Sequence, residues 1–407
     1  MSGADRPSPP QRPTPDRPGL AGALALYTSI ATIATWPLVT VLPRALAGDA
    51  RADSWKHAWG FWWFADAARG GAPFPVRTDL LGWPGGGSLY NIDPLNSLLS
   101  VPLQMVMPLP AAFNLMLLVN LVAAALAAWA LARALSGSAT AALVSGIAYA
   151  FNPFVLSYAV ASGVTETTSL VWMPLFLLTL VRLPARGLPN AAAAGALLGL
   201  TAFSCWYFGI FAFIWALLWG LCHGVELWRE GGPSRRARLR ALGLRVMVLA
   251  VLTADVAAPP LVAFSMSMSN PDSLHPADFK RTPASASAYL DPSNSTALVD
   301  FFVMGKGAAV ISHTSDRLVR SAYVGVTLAL LAMLATLRER PARFWALSAA
   351  LFGGLSLGPV LLARHDTPAH GPNPLYGAFY SAFPAFTQIA IPYRFCIPLM
   401  LAVGLLA

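Results

Sequence analysis

An all-α polytopic membrane protein is the fold class this sequence predicts, on three observations. Of its 407 residues 56% are apolar and 11% charged, with a mean hydropathy of +0.59. A soluble domain carries about 25% charged residues, so the polar coat is less than half of what a water-facing surface needs. The apolar residues fall in runs near the about 20 residues that cross a bilayer as helix. Basic residues gather in alternate loops between those runs. Together these exclude a soluble enzyme, a disordered chain and a nucleic-acid binder, despite a formal charge of +9 and a pI near 9.8. Lysine occurs only at Lys56, Lys280 and Lys306, so the positive excess is almost all arginine. Cys205, Cys222 and Cys396 sit in apolar runs and form neither a disulfide framework nor a metal-ligand pattern.

The first 18 residues hold six prolines and few apolar groups, and read as a disordered cytoplasmic tail. From residue 19 to 407 the chain reads as one transmembrane domain of about ten spans. They fall at 20–42, 109–132, 138–160, 168–182, 189–205, 207–228, 244–265, 318–337, 343–362 and 389–407. The first resembles a signal peptide with a cleavage site at Ala45-Leu46-Ala47, but its apolar run exceeds a signal core of about 7–15 residues, so it is read as a retained helix. The last run stops without a basic or polar tail, and the sequence reads as cut inside or just after its final span.

Orientation follows from the short loops. One parity holds Arg133, then Arg182 and Arg186, then Arg229 through Arg245, then Arg338, Arg340 and Arg343. The other parity, at 161–167 and 205–207, holds no Lys or Arg. The N-terminus is therefore assigned to the cytoplasm, and the long loops 43–108, 266–317 and 364–388 to the outside. Function on such a scaffold is expected where the long loops gather.

The first outer loop is the richest. Over 49–63 the spacing predicts a helix with Trp55, Trp59 and Trp62 on one stripe and Asp53, Lys56 and His57 on another. Such a helix lies in the membrane interface and keeps Asp53 near lipid head groups. By spacing alone Asp53 is equally a helix-capping acid, and His57 an interfacial hydrogen-bonding residue. The run Trp83-Pro84-Gly85-Gly86-Gly87 lacks a following Gly-Lys-Ser/Thr or a preceding strand and reads as a turn rather than a phosphate loop. Asp93 opens a second interfacial helix from Pro94 to Met107. Two carboxylates, each starting a membrane-lying helix, are candidates for one site. Glu166 lies in a very short outer loop on the same side. Asp255 falls about 15 Å along its helix from Arg245, near the bilayer middle, where an acid is a functional candidate by default.

The order of these features resembles the C-fold (GT-C) membrane glycosyltransferases, the polyprenyl-phosphate-sugar-dependent enzymes of the mannosyltransferase and arabinosyltransferase kind. An Asp shortly after span one is followed by a Trp-rich stretch, a Pro-Gly-Gly turn and an acid before an interfacial helix. Further matching stretches are Ala111-Ala112-Phe113-Asn114-Leu115, Leu131 to Ser138, Ala148 to Phe154, Ser162-Gly163-Val164-Thr165-Glu166, Trp172-Met173-Pro174-Leu175 and Ile391-Pro392-Tyr393-Arg394-Phe395, the last resembling a Pro-x-Arg-Phe element of an uncharacterised bacterial group.

The resemblance covers most of 20–407. It implies a multi-pass protein of the bacterial inner (plasma) membrane that moves a sugar from a polyprenyl-phosphate donor to an acceptor hydroxyl on the extracytoplasmic face. Asp53 matches the general base. Asp93 matches an assisting acid, and Asp53 and Asp93 are the candidate ligands if a divalent cation, Mg or Mn, takes part. Ser54 stands where a second adjacent acid would be, and the metal stays open. Arg394 is suited to the leaving phosphate, or snorkels to the interface. Glu166, His57 and Lys56 are candidate substrate-binding residues beside it. Expected partners are the donor lipid, an unidentified acceptor and membrane lipids, with no nucleic acid. Two other classes remain open, a secondary transporter, in which Asp255 would dominate, and a noncatalytic membrane assembly protein.

Overall fold

The computed structural model describes residues 19–49, 53–72, 77–81, 83–88, 93–230, 235–268, 289, 322–361, 371–383, 386, 389 and 391–407. The Pro-rich tail 1–18, residues 269–288 and 290–321 around the second outer loop, and 362–370 of the third lie outside these. The described residues are helical apart from one pair of two-residue strands, Arg77–Thr78 against Gly87–Ser88. The Gly-rich turn is thus the tip of a minimal antiparallel hairpin. A strand does precede it, in contrast to the sequence expectation.

Three helices are long and apolar enough to cross a membrane, Leu109–Ser136, Trp206–Arg229 and Arg235–Val262. Shorter apolar helices of 10–17 residues overlap several other expected spans, among them Leu20–Ala34, Ala139–Ala150, Leu188–Ser204 and Val326–Arg338. The expectation of about ten full-length spans is therefore met at the level of an all-α chain with three helices of spanning length.

The first helix, α1 (Leu20–Ala34), buries Ala23, Tyr27 and Ala31, four residues apart on one face. They pack on α4 (Leu109–Ser136). Asn114 of α4 then fixes the chain that leaves α1. Its amide donates to the carbonyls of Leu42 (2.9 Å) and Ala45 (2.7 Å), while its oxygen accepts the Ala47 N–H at 2.8 Å. That segment feeds α2 (Ser54–Arg69), which packs against α3 (Pro94–Gln104).

After α5 (Ala139–Ala150) the expected span 138–160 is interrupted. Pro153 disfavours α conformation in the residue before it. Asn152 closes the break by donating to the Tyr149 carbonyl at 2.8 Å and accepting the Val155 N–H at 3.0 Å. A π-helical turn, Val155–Val160, and a 3₁₀ turn, Thr165–Thr167, follow. Between them Gly163 takes φ +65°, and a Cβ there would lie 2.6 Å from the Ala47 carbonyl oxygen and 2.7 Å from the Ser54 Cβ. Gly48 faces it just as closely, since its own Cβ would meet the Gly163 backbone at 2.8 Å. This backbone crossing presses the Glu166 loop against the start of α2.

The chain continues through α6 (Trp172–Val181), α7 (Leu188–Ser204), α8 (Trp206–Glu230) and α9 (Arg235–Met268), which runs through Pro259 and Pro260 as one helix. Helices α10 (Val326–Arg338), α11 (Ala342–Ser356) and α12 (Pro374–Ala382) precede a 3₁₀ turn at Pro392–Phe395 and the buried α13 (Cys396–Leu406). The helix α12 lies within the segment expected as loop 364–388. Trp215 of α8 donates to the Ser348 hydroxyl of α11 at 2.8 Å. The α13 helix packs on both α11 and α5, and so brings Arg394 against the turns at 155–167.

Candidate functional site

The centre of the site is an ion pair between residues 228 apart in sequence: Arg394 Nη1 donates to Glu166 Oε1 at 3.0 Å. The two side chains are only 5% and 12% exposed. Nη2 donates to the Tyr158 hydroxyl at 3.1 Å. The guanidinium carbon stands 4.7 Å from the centre of the Tyr207 ring and 5.6 Å from that of Tyr158, within the range of a cation–π contact. Burial alone would push the Glu166 carboxyl up, but Arg394 and the neighbouring His57 and Lys56 hold it below the ordinary carboxylate value. Arg394 is thus a charge-compensated, buried residue rather than one reaching for the interface.

The turn chemistry explains the arrangement. The π-helical turn places Tyr158 toward Arg394, and Pro392 starts the 3₁₀ turn whose third residue is Arg394. Tyr207 enters from the first turn of α8, just after the chain breaks at Cys205, whose φ of −157° is extended. Neither tyrosine was singled out from the sequence. A cue was present, since each lies in an aromatic stretch beside a short polar loop.

Asp93 is fully buried and caps α3. One carboxylate oxygen accepts the Asn96 N–H at 3.3 Å and the other accepts the Asn96 side-chain amide at 2.7 Å. The same amide donates to the Thr165 carbonyl at 3.3 Å, and Asn120 of α4 donates to the Asn96 oxygen at 3.0 Å. Asp93 is therefore tied through Asn96 to the residue preceding Glu166. Desolvation pushes its pKa up to about 7, opposed by the Thr165 side chain and the Asn96 hydrogen bonds and aided by the nearby Glu166 charge.

His57 corrects the sequence expectation of a shared polar stripe on α2. Its side chain is 0% exposed, while Trp55 and Trp62 are exposed. The buried row is Ser54, His57, Ala58, Phe61, Phe64 and Ala65, a three-and-four spacing of small and aromatic residues. His57 falls inside that row and turns inward, whereas Asp53 and Lys56 remain outside. Neither ring nitrogen has a hydrogen-bond partner among the described residues. Burial lowers the His57 pKa to about 4, with Glu166 and Asp53 opposing and Lys56 and Arg394 reinforcing the shift.

Asp53 stands at the N-cap of α2, but its side chain makes no capping bond. It is 57% exposed, and its Oδ2 accepts from Lys56 Nζ at 3.2 Å. The candidates thus divide into the solvent-accessible pair Asp53 and Lys56, the lysine half-buried, and a buried set, His57, Glu166, Arg394 and Asp93. All six arise from the starts of α2 and α3, the 3₁₀ turn and the lead into α13. Asp255 lies apart, on the exposed face of α9.

The donor set does not fit a divalent-metal cage. Asp93 directs both oxygens to Asn96 and Asp53 pairs with Lys56. Among the described residues no group of three His, Cys, Asp or Glu side chains is placed to hold a metal ion. No protein-family model matches the chain, and no curated protein matches it.

Proposed function

We propose that this chain is a multi-pass glycosyltransferase of the bacterial inner membrane, with about ten spans and a cytoplasmic N-terminus. It moves a sugar from a polyprenyl-phosphate donor to an acceptor hydroxyl on the extracytoplasmic face. The observation that carries the proposal is the gathering of the outer-loop acids around one buried arginine. Glu166 pairs with Arg394, Asp93 is tied to the same loop through Asn96, and Asp53 and His57 start the helix pressed against it.

The residues divide the work by exposure. Asp53 is the acid that an acceptor can reach, and it takes the acceptor's proton as the oxygen attacks the anomeric carbon. The bond between that carbon and the phosphate oxygen breaks, and the lipid phosphate leaves with the electron pair. Arg394 and Lys56 supply positive charge for the leaving phosphate. Asp93, with both oxygens directed to Asn96, positions the Glu166 loop.

In membranes supplied with a polyprenyl-phosphate sugar, Asp53→Asn should lower transfer by about 10²–10⁴-fold at unchanged protein level. Full activity of that variant overturns Asp53 as the base.

A further inference from the structure

We propose that the donor's phosphodiester anion enters this cluster together with one proton, which His57 takes up. The inference rests on the donor reading above and concerns how that site manages charge.

The charged groups that face His57 come from each neighbouring element. Glu166 belongs to the 3₁₀ turn, Arg394 to the lead into α13, and Asp53 and Lys56 to its own helix. Two of these are cations and two are anions, so their formal charges cancel while the imidazole is neutral. A buried imidazole with no hydrogen-bond partner is held neutral by desolvation, in agreement with its low pKa of about 4. The charges around His57 are therefore balanced, and an arriving phosphodiester would bring one uncompensated negative charge beside it.

An unpaired charge in such a place is expensive. Of the two groups there with pKa values between about 4 and about 7, His57 and Asp93, His57 is the one set among all four charged side chains. It has no hydrogen-bond partner among the described residues, whereas Asp93 is held by Asn96. Protonated His57 carries two N–H donors, and the Arg394 Nε–H also lacks a hydrogen-bond partner among the described residues. The proton and the anion thus supply what the other needs. The imidazole N–H forms as a solvent or buffer acid gives up its proton, and no bond of the donor lipid changes.

The sign follows from linkage. The anion raises the proton affinity of His57, and the proton raises the affinity for the anion by the same factor. Between the pKa of the free site, about 4, and the higher value of the occupied one, binding takes up a proton and tightens as pH falls. At full coupling the affinity rises about tenfold per pH unit.

The test uses the purified full chain in lipid nanodiscs and methyl farnesyl phosphate, a phosphodiester whose single charge is fixed between pH 5 and pH 8. Calorimetric titration in two buffers of different ionisation enthalpy counts the protons exchanged. The expected result is uptake approaching one proton near pH 6, and an affinity that climbs toward lower pH. His57→Gln should still bind, more weakly, with no proton uptake and a flat pH profile. Should that variant not fold, Asp93→Asn decides instead: proton uptake that survives it assigns the proton to His57, and uptake that disappears with Asp93 overturns the inference.

Binding of the probe with no proton uptake overturns the inference and leaves the donor reading standing, as does uptake that persists in His57→Gln. Absence of binding at every pH overturns both. Dimethyl phosphate, run in parallel, should bind far more weakly. Equal affinity would place the anion's source in solution and overturn the lipid-linked donor.

Discussion

Replacing Glu166 with Gln should destabilise this protein by about 3 kcal/mol, near the lower end of the about 3–5 kcal/mol that follows loss of one partner from a buried pair. At the observed 3.0 Å, an effective dielectric constant of about 20 gives an attraction of about 5 kcal/mol. Desolvation of both ions offsets much of that. What the substitution leaves behind is a guanidinium buried without its carboxylate. The Tyr158 hydroxyl and the Tyr207 ring stay in place, which is the reason for choosing the lower end. Removing both charges, with Arg394→Met added, should be less damaging than Glu166→Gln alone, because no buried ion is then left unpaired. The cycle should give a coupling of at least about 2 kcal/mol. Unfolding in mixed micelles titrated with dodecyl sulfate, followed by tryptophan fluorescence, measures all four variants. A Glu166→Gln loss below about 1 kcal/mol, the size of an exposed pair, or strict additivity in the cycle would refute the assignment of a desolvated pair.

Two buried groups should give opposite pH slopes. The Asp93 carboxyl is raised from 3.8 to about 7 on folding, so its contribution is full below pH 3.8 and is lost as pH rises through about 7. The His57 imidazole is lowered from 6.5 to about 4, so its contribution is full above pH 6.5 and is lost as pH falls through about 4. The wild type should therefore show a shallow stability profile between these limits. Asp93→Asn should leave stability rising with pH, and His57→Gln should leave it falling, by on the order of 3 kcal/mol each; parallel profiles in all three proteins would contradict both environments. Gly163→Ala should destabilise by about 1–3 kcal/mol, since it needs a left-handed backbone and meets the Ala47 carbonyl and Ser54. A melting temperature equal to the wild type's would show that the crossing relaxes freely.

Hydropathy made the long helices legible because each satisfies its backbone internally and needs only a sustained apolar run. Thus α4, α8 and α9 lie where the composition puts them. The break in 138–160 was harder to see, because Val155–Val160 is as apolar as the helix before it. The interruption comes from Asn152-Pro153, two residues with little weight in a hydropathy sum. On α2, counting tryptophans placed Trp55 and Trp62 on the exposed face but missed that Trp59 packs against the Phe64–Val101 cluster, and it grouped His57 with its polar neighbours. Its burial is written in the small and aromatic residues beside it, Ser54, Ala58 and Phe61, a weaker signal than a charge pattern. Asp93 was legible as a helix-starting acid, but the Asn96 and Asn120 amides that hold it were not, since each is ordinary until the turns are folded. The pairing of Glu166 with Arg394 had no local trace at all. Both were visible as candidates, and their contact depends on how α13 threads between α5 and α11.

That contact has a consequence for biogenesis. The carboxylate is made 228 residues ahead of its cation, and a ribosome adding about 5–20 residues per second delivers the second partner at least about ten seconds later. During that interval Glu166 lacks the arginine it is buried with, and the turn that carries it stays at the water boundary. Arrival of Arg394 with α13 neutralises the acid and lets the turn sink into place. Burial of the turn is thereby timed to the arrival of α13, and a chain stalled before it displays an open, unfinished surface for quality-control proteases to recognise.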